Sequence, residues 1–276
     1  LIEVLGSTHE RVRRLRRLGQ NRSDRWEEEI CVLEGPDLVD AALSSGATFE
    51  AIFVDEEHVS KPVIAALIER AQDAKVRVFS LATGVLEKVA DAKTPQPIIA
   101  TVSFPLTSVS KLPVDGFALV LHELKDPGNA GTIVRSADAS GASCVVFTGN
   151  SVDVFNPKVL RATAGSVFHL PIAVAALSDV LAHFKSAGVT SYATVIHGGP
   201  SPRSVDLSKA SVVVIGNESA GLDDEAIALC DASLSIPMDG DSESLNAGIA
   251  ASLIAFEALN QRQDAKSPSK SRSLEE

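Results

Sequence analysis

Phe117-Ala118-Leu119-Val120-Leu121 runs directly into His122-Glu123-Leu124-Lys125-Asp126-Pro127-Gly128-Asn129-Ala130-Gly131-Thr132-Ile133-Val134-Arg135-Ser136-Ala137-Asp138-Ala139-Ser140-Gly141. The five leading residues are apolar without a break, as in a strand buried on both faces. A polar Gly-Asn loop follows, then a helical stretch, and Gly141 supplies the stop. Strand, loop and helix in this order form the repeating unit of an α/β protein with a parallel sheet.

The same alternation extends in both directions. Downstream, strands are expected at 144–148, 189–195 and 212–215, with helices near 158–163, 178–187 and 223–229. Upstream, strands at 30–33, 51–54, 76–80 and 98–102 alternate with helices near 37–44, 61–74 and 85–90, which predicts a smaller α/β domain. Phe104-Pro105-Leu106-Thr107-Ser108-Val109-Ser110-Lys111-Leu112-Pro113 has the Ser and Pro content of a linker. The expected division is therefore a first domain over 1–104, a linker over 105–115 and a second domain over 116–262. Residues 263–276, rich in Lys, Ser and Arg, read as a disordered tail.

Composition narrows the function classes. The 276 residues are 45% hydrophobic but only 4% aromatic, so the core is built from Val, Ile, Leu and Ala. No run approaches the roughly 18 apolar residues of a membrane helix, and the N-terminus lacks a secretory pattern. A soluble, cytoplasmic protein is expected. Cys31, Cys144 and Cys230 are odd in number and set in apolar segments, which favours buried thiols over a disulfide. The six histidines show no ligand spacing, so no metal site is expected.

A net charge of -11 argues against indiscriminate binding to polyanions. Locally the balance reverses: Glu10-Arg11-Val12-Arg13-Arg14-Leu15-Arg16-Arg17-Leu18 is followed by Arg22 and Arg25. Val12, Leu15 and Leu18 share one helical stripe, leaving the arginines to cover the rest. That face is either simply solvated or built for a phosphate backbone.

The last informative stretch is Ser235-Ile236-Pro237-Met238-Asp239-Gly240-Asp241-Ser242-Glu243-Ser244-Leu245-Asn246, continuing into Ala247-Gly248-Ile249-Ala250-Ala251-Ser252-Leu253-Ile254-Ala255-Phe256. It reads as a strand end, an acidic loop and a helix apolar on nearly every side, which must be buried. Ser244 and Asn246 at its mouth either cap the helix or serve a site, and capping from Ser242 or Glu243 is a further option.

Three polar loops thus follow three apolar strands: one with Asn129 and Arg135, a second at Gly216-Asn217-Glu218-Ser219-Ala220-Gly221, and the third just quoted. Ligands of open α/β sheets gather beyond the carboxyl ends of strands, so the three loops can border one crevice. Gly128-Asn129-Ala130-Gly131 lacks dinucleotide spacing, and neither a phosphate loop nor a GxSxG elbow occurs. Taken singly, Asn129 and Asn246 fit turn or cap duties, and Glu218 fits the N-terminus of the next helix.

In their order along the chain, Asn129 with Arg135, Ile215-Gly216-Asn217-Glu218 with Gly221, and Ile236-Pro237-Met238 with Ser244-Leu245-Asn246 resemble the three motifs of the SpoU/TrmH family. Its members are RNA ribose 2′-O-methyltransferases of the SPOUT class. Asn156-Pro157-Lys158 and Arg161-Ala162-Thr163-Ala164-Gly165 are similar to the family's middle segment. Glu34-Gly35-Pro36 resembles part of the ribosomal-protein-like RNA-binding domain that many members carry.

The resemblance implies a homodimer with a trefoil-knotted catalytic domain, where general rules of topology favour an ordinary doubly wound sheet. It implies S-adenosylmethionine as cofactor, bound around Gly216, Asn217, Ile236, Met238 and Leu245. It assigns substrate binding and catalysis to Asn129, Arg135, Glu218, Ser244 and Asn246. RNA, ribosomal RNA first and transfer RNA second, is the implied partner, with Arg11, Arg13, Arg14, Arg17 and Arg22 as candidate RNA-binding residues. A non-catalytic RNA-binding protein that keeps the fold is the alternative. A free arginine has a pKa above about 12, so Arg135 is a poor general base and better suited to forked contacts with phosphate and ribose.

Overall fold

The computed structural model describes residues 2–90, 92, 94–241 and 244–266. Strand β1 (Glu3–Leu5) leads to helices α1 (Glu10–Gln20) and α2 (Arg22–Glu28), then β2 (Ile30–Glu34), α3 (Pro36–Ser45) and β3 (Phe49–Asp55). Next come α4 (Pro62–Asp73), β4 (Val78–Leu81), α5 (Leu86–Val89) and β5 (Ile98–Ser103). The chain continues through β6 (Phe117–His122), α6 (Pro127–Ala139), β7 (Cys144–Thr148), α7 (Pro157–Thr163), β8 (Ile172–Ala175) and α8 (Leu177–Ser186). It ends with β9 (Thr190–Thr194), β10 (Ser211–Ile215), α9 (Asp224–Leu229), β11 (Ala232–Leu234) and α10 (Ala247–Lys266).

The first sheet has the order β1-β4-β3-β5-β2 and is mixed: β5 runs antiparallel to both neighbours, while β4 is parallel to β1 and β3. Helix α1 packs on it as its periodicity predicts, with Val12, Leu15 and Leu18 buried among Ile30, Phe53 and Phe79. Each such buried aliphatic side chain stabilises the layer by about 1.5–3 kcal/mol. Strand β1 is a finding of the structure, since three residues are too few to show a period.

The second sheet has the order β11-β9-β10-β6-β7-β8, and its registered pairs are all parallel. Every residue of β7 and β10 is buried, as continuous apolar runs in a sheet covered on both faces should be. Relative to a plain doubly wound order, β9 and β10 have exchanged places. Strand β10 is therefore central, beside β6, and β11 pairs with β9 beyond it.

The chain divides into two compact units, Leu1–Thr107 with Lys125–Arg135 and Val152–Ile172, and Ser108–Leu124 with Ser136–Ser151 and Ala173–Glu276. The units differ from the single cut expected between 104 and 116, and their boundary passes through α6. Two segments that follow β6 and β7 in sequence belong with the N-terminal sheet. Asp153 is held there by Arg25, and Arg161 by Glu34. Pairings across more than a hundred residues leave no trace in local composition.

Three further expectations change. The supposed linker is packed: the Phe104 ring stacks on Phe155 with centroids 3.7 Å apart, Leu106 bridges to Ile172, and Leu112 is buried. Ser and Pro there report irregular backbone, not freedom from packing. Arg25 belongs to no basic face, being buried against Asp153. Helix α10 runs to Lys266, so 263–266 are helical, while 267–276 lie outside the described residues.

Candidate cofactor and substrate site

Strand β10 ends at Ile215, and the chain turns at once. A β-carbon on Gly216 would fall 2.4 Å from the Gly221 carbonyl carbon and 2.5 Å from the Leu222 nitrogen, so only glycine allows this turn. Asn217 and Gly221 exchange backbone hydrogen bonds of 3.0 Å in each direction. The Asn217 side chain completes the loop: its Oδ1 accepts from the amides of Ser219 and Ala220, and its Nδ2 donates 3.0 Å to the Glu123 carbonyl. Asn217 is thus a loop builder whose side chain is committed to the turn.

The third loop departs from β11. Ser235 N donates to the Pro200 carbonyl at 3.0 Å and its Oγ to the Ile196 carbonyl at 2.7 Å. Ile236 and Met238 lie after β11, not within a strand. Ser242 and Glu243 lie outside the described residues. The cap seen on α10 is Asn246, whose Oδ1 accepts from Ile249 N at 3.2 Å and whose carbonyl accepts from Ala250 N at 2.9 Å. The capping role considered for Asn246 is therefore real.

These loops enclose a crevice of about 320 Å³. Gly216, Asn217, Glu218, Ile236, Met238, Ser244 and Leu245 all line it, which brings together the residues of the second and third motifs. Ile196, Ile215, Leu234 and Ile254 supply apolar walls. Asn246 is not among the lining residues.

Thr194, Val195 and Ile196 also line the crevice and were missed by sequence reasoning. They follow directly from the exchange of β9 and β10, which puts the end of β9 beside the end of β10. Thr194 Oγ1 donates 2.8 Å to the Val214 carbonyl and so fastens the two strand ends together. A strand terminus was the available signal, but sheet order is not written in a period.

Asn129 and Arg135 both lie on α6. Asp126 caps that helix, accepting from Asn129 N at 2.7 Å, so the Asn129 side chain is not needed as the cap. Arg135 is exposed and makes no ion pair among the described residues, which removes the helix-end pairing with Asp126 or Asp138 as its explanation.

The arginines of α1 and the start of α2 differ in their partners. Arg14 is held by Glu28 at 2.6 Å and Glu50 at 2.8 Å, and Arg17 by Glu28 at 2.5 Å. Hydrogen bonding to Glu50 raises the Arg14 pKa further above its ordinary value. Arg11 stacks over the Phe79 ring and Arg22 over Trp26. Arg13 and Arg16 are exposed.

Among the described residues, no group of three His, Cys, Asp or Glu is placed to hold a metal ion, and no helix is long and apolar enough to cross a membrane. Cys31 and Cys144 are buried, and desolvation pushes both thiols up to about 12.

Residues 116–256 match the model of the SpoU rRNA methylase family, and residues 9–100 match an MRM3-like substrate-binding domain. The chain is 30% identical to a 23S rRNA (guanosine(2553)-2′-O)-methyltransferase of Bacillus subtilis, over 85% of this chain and 90% of that protein. It superposes on an AdoMet-bound rRNA methyltransferase from Sinorhizobium meliloti with a TM-score of 0.84, at 30% identity over 94% of this chain and 98% of that one. With the SpoU methyltransferase AviRb of Streptomyces viridochromogenes, in complex with AdoMet, the TM-score is 0.83 at 29% identity, over 92% and 98% of the two chains. The chain thus shares the α/β fold of SPOUT methyltransferases and belongs to the SpoU rRNA methylase family.

Proposed function

We propose that this chain transfers a methyl group from S-adenosylmethionine to a ribose 2′-hydroxyl of ribosomal RNA. The observation that carries the reading is the convergence of the loops after β9, β10 and β11 on one crevice, in a chain whose relatives bear the names of 23S rRNA 2′-O-methyltransferases. We infer also that the exchange of β9 and β10 is the local expression of the knot that the family resemblance implies.

The crevice suits the cofactor. Its volume of about 320 Å³ lies in the range of small-molecule sites, and its walls are mainly apolar with a few polar groups at defined points. Ile196, Ile215, Leu234 and Leu245 would hold the flat base, and the backbone around Gly216, Ile236 and Met238 would meet its polar edges and the amino-acid end. When bound, S-adenosylmethionine supplies a methyl group on a positively charged sulfur, ready for in-line attack by an oxygen.

The remaining tasks are to place the ribose and to lower the cost of the developing alkoxide. Glu218 and Ser244 line the crevice and would orient the hydroxyl. Arg135, always charged, would grip the target phosphate by its fork and stabilise the developing alkoxide, the hydroxyl proton leaving to solvent. Asn129 would fix the ribose edge, and Asn246 would hold the mouth of α10 in place. Arg13 and Arg16 would bind phosphates of a folded RNA element, read by shape. The active form would be a homodimer in the cytoplasm, joined through α10.

Labelled S-adenosylmethionine is incubated with protein-free 23S ribosomal RNA and, separately, with transfer RNA, and the methylated ribose is mapped. Transfer to ribosomal RNA at a 2′-oxygen is the expected result. Cofactor binding without transfer to either RNA sinks the reading and favours an RNA-binding protein that keeps the fold.

A further inference from the structure

The segment between β7 and β8 is pinned to the N-terminal sheet layer at three points. Before α7, Asp153 accepts from Arg25 Nη2 at 2.6 Å, from Trp26 Nε1 at 2.9 Å and from Phe155 N at 3.1 Å. Within α7, Arg161 Nη1 donates 3.0 Å to Glu34 Oε2, at the end of β2. After α7, Gly165 at φ +95° leaves so little room that a β-carbon would sit 2.7 Å from the Ala41 β-carbon on α3.

The other side of α7 meets α6. A β-carbon on Gly131 would fall 2.3 Å from the Ala162 β-carbon and 2.9 Å from the Val159 carbonyl oxygen. The two helices therefore touch at backbone distance, with no flexible side chain between them to absorb a shift. Asn129 lies two residues before this contact and Arg135 about one turn after it.

Stability alone does not account for the Glu34–Arg161 pair. The Glu34 side chain is only 3% exposed, and a carboxylate taken from water gains little net stability from its partner compared with an apolar pair. What such a pair does supply is a fixed register. Gln96 N holds the other oxygen, Oε1, at 3.3 Å, so the carboxylate is oriented from both sides.

We propose that Glu34 and Arg161 are positioning residues for methyl transfer: their ion pair fixes α7 on β2, and α7 through Gly131 fixes the part of α6 that bears Asn129 and Arg135. The inference rests on the assignment of those two residues to the RNA substrate. Through it, the sheet that carries the RNA-binding helix sets the register of the helix that carries the substrate groups.

The test uses Glu34→Gln, Arg161→Met, their double variant and Arg161→Lys in the full chain. Hydrogen exchange of amides 130–135, melting temperature, cofactor affinity, and kcat and KM for RNA are measured for each. The expected result for Glu34→Gln is about tenfold faster exchange in α6 and about tenfold lower kcat, with cofactor affinity and RNA KM unchanged. The double variant replaces both charges by neutral side chains, so its melting temperature returns while α6 exchange and kcat stay impaired. Should a single neutral variant fail to fold, Arg161→Lys keeps the charge and is expected to show the same split at near-normal melting temperature. If the double variant regains kcat along with stability, or if no variant alters α6 exchange, the proposal is overturned. Exchange is read on the free protein, so a wild type that methylates no RNA overturns the reaction reading, while the α6 response still judges the tie.

Discussion

Gly216 and Gly221 close the loop after β10 by direct backbone contact, 2.4 Å being all that a β-carbon on Gly216 would have. A methyl group there must push the 216–222 loop away from its seat. Overpacking of this kind costs about 1–3 kcal/mol, and the displaced loop is a wall of the crevice. Gly216→Ala is expected to weaken S-adenosylmethionine binding at least about tenfold by calorimetric titration. Gly6→Ala, at a site with no atom within 4 Å of the added carbon, should leave binding unchanged and serves as the control.

The arginines of α1 should divide by their partners. Arg14 and Arg17 are already engaged by Glu28, Glu50 and Asp24, whereas Arg13 and Arg16 are exposed. Arg13→Glu with Arg16→Glu is expected to lower RNA affinity and reduce the slope of log affinity against log salt by about 1–2, as two phosphate contacts are lost. Arg14→Ala should change that slope by less. Equal slopes for the two variants, in filter binding across a salt series, would show that the acidic partners do not sequester Arg14.

Much of the fold is legible in the sequence, because burial on both faces of a parallel sheet writes itself as unbroken apolar runs. Cys144 to Thr148 and Val212 to Ile215 are such runs, and they are strands. The stripe of Val12, Leu15 and Leu18 is legible for the same reason. Partner choice is not. Nothing local distinguishes Arg25, buried against Asp153, from Arg13 in the same arginine run. The exchange of β9 and β10 is equally hidden, and with it the contribution of Thr194 to Ile196 to the crevice. The resemblance to the family reaches the motif residues where periodicity stops, yet it gives Asn246 a substrate role and does not show that its side chain caps α10.

Arg135→Lys tests the forked contact. Lysine keeps the charge but loses the planar pair of donors, so turnover should fall by about 10²-fold with RNA affinity nearly unchanged. Single-turnover kinetics separates the two quantities. Near-normal turnover in this variant would falsify the forked role and leave Arg135 as a point charge.

The buried thiols make stability fall in alkali. Burial pushes Cys31 and Cys144 from the ordinary thiol value of 9.0 to about 12 in the folded chain, so the unfolded chain ionises first. The stabilisation is complete below about pH 9 and is lost as pH rises toward about 12, because the folded state then retains protons the unfolded state has released. Urea midpoints should therefore decline more steeply above pH 9 in the wild type than in Cys144→Ala, whatever the absolute cost of that substitution. Parallel declines would mean that Cys144 does not contribute.

Helix α10 is apolar on more faces than the chain itself covers. Ala251, Ile254, Ala255 and Ala258 are buried, and Ser252 and Arg262 tie the helix to Ser136 and Ser140 at 2.7 and 2.8 Å. Ile249, Leu253 and Phe256, at spacings of four and three residues on one stripe, remain 53%, 51% and 43% exposed. An apolar stripe of that kind on an otherwise well-packed helix is best covered by a second copy, as proposed for the active form. A charge in the middle of the stripe should then cost the dimer several kcal/mol, since it would be buried without a partner. Leu253→Arg is expected to sediment as a monomer at micromolar concentration where the wild type sediments as a dimer, with little change in the melting temperature of the monomeric fold. A wild type that is itself monomeric at that concentration would remove α10 as the interface and leave its apolar stripe without an explanation.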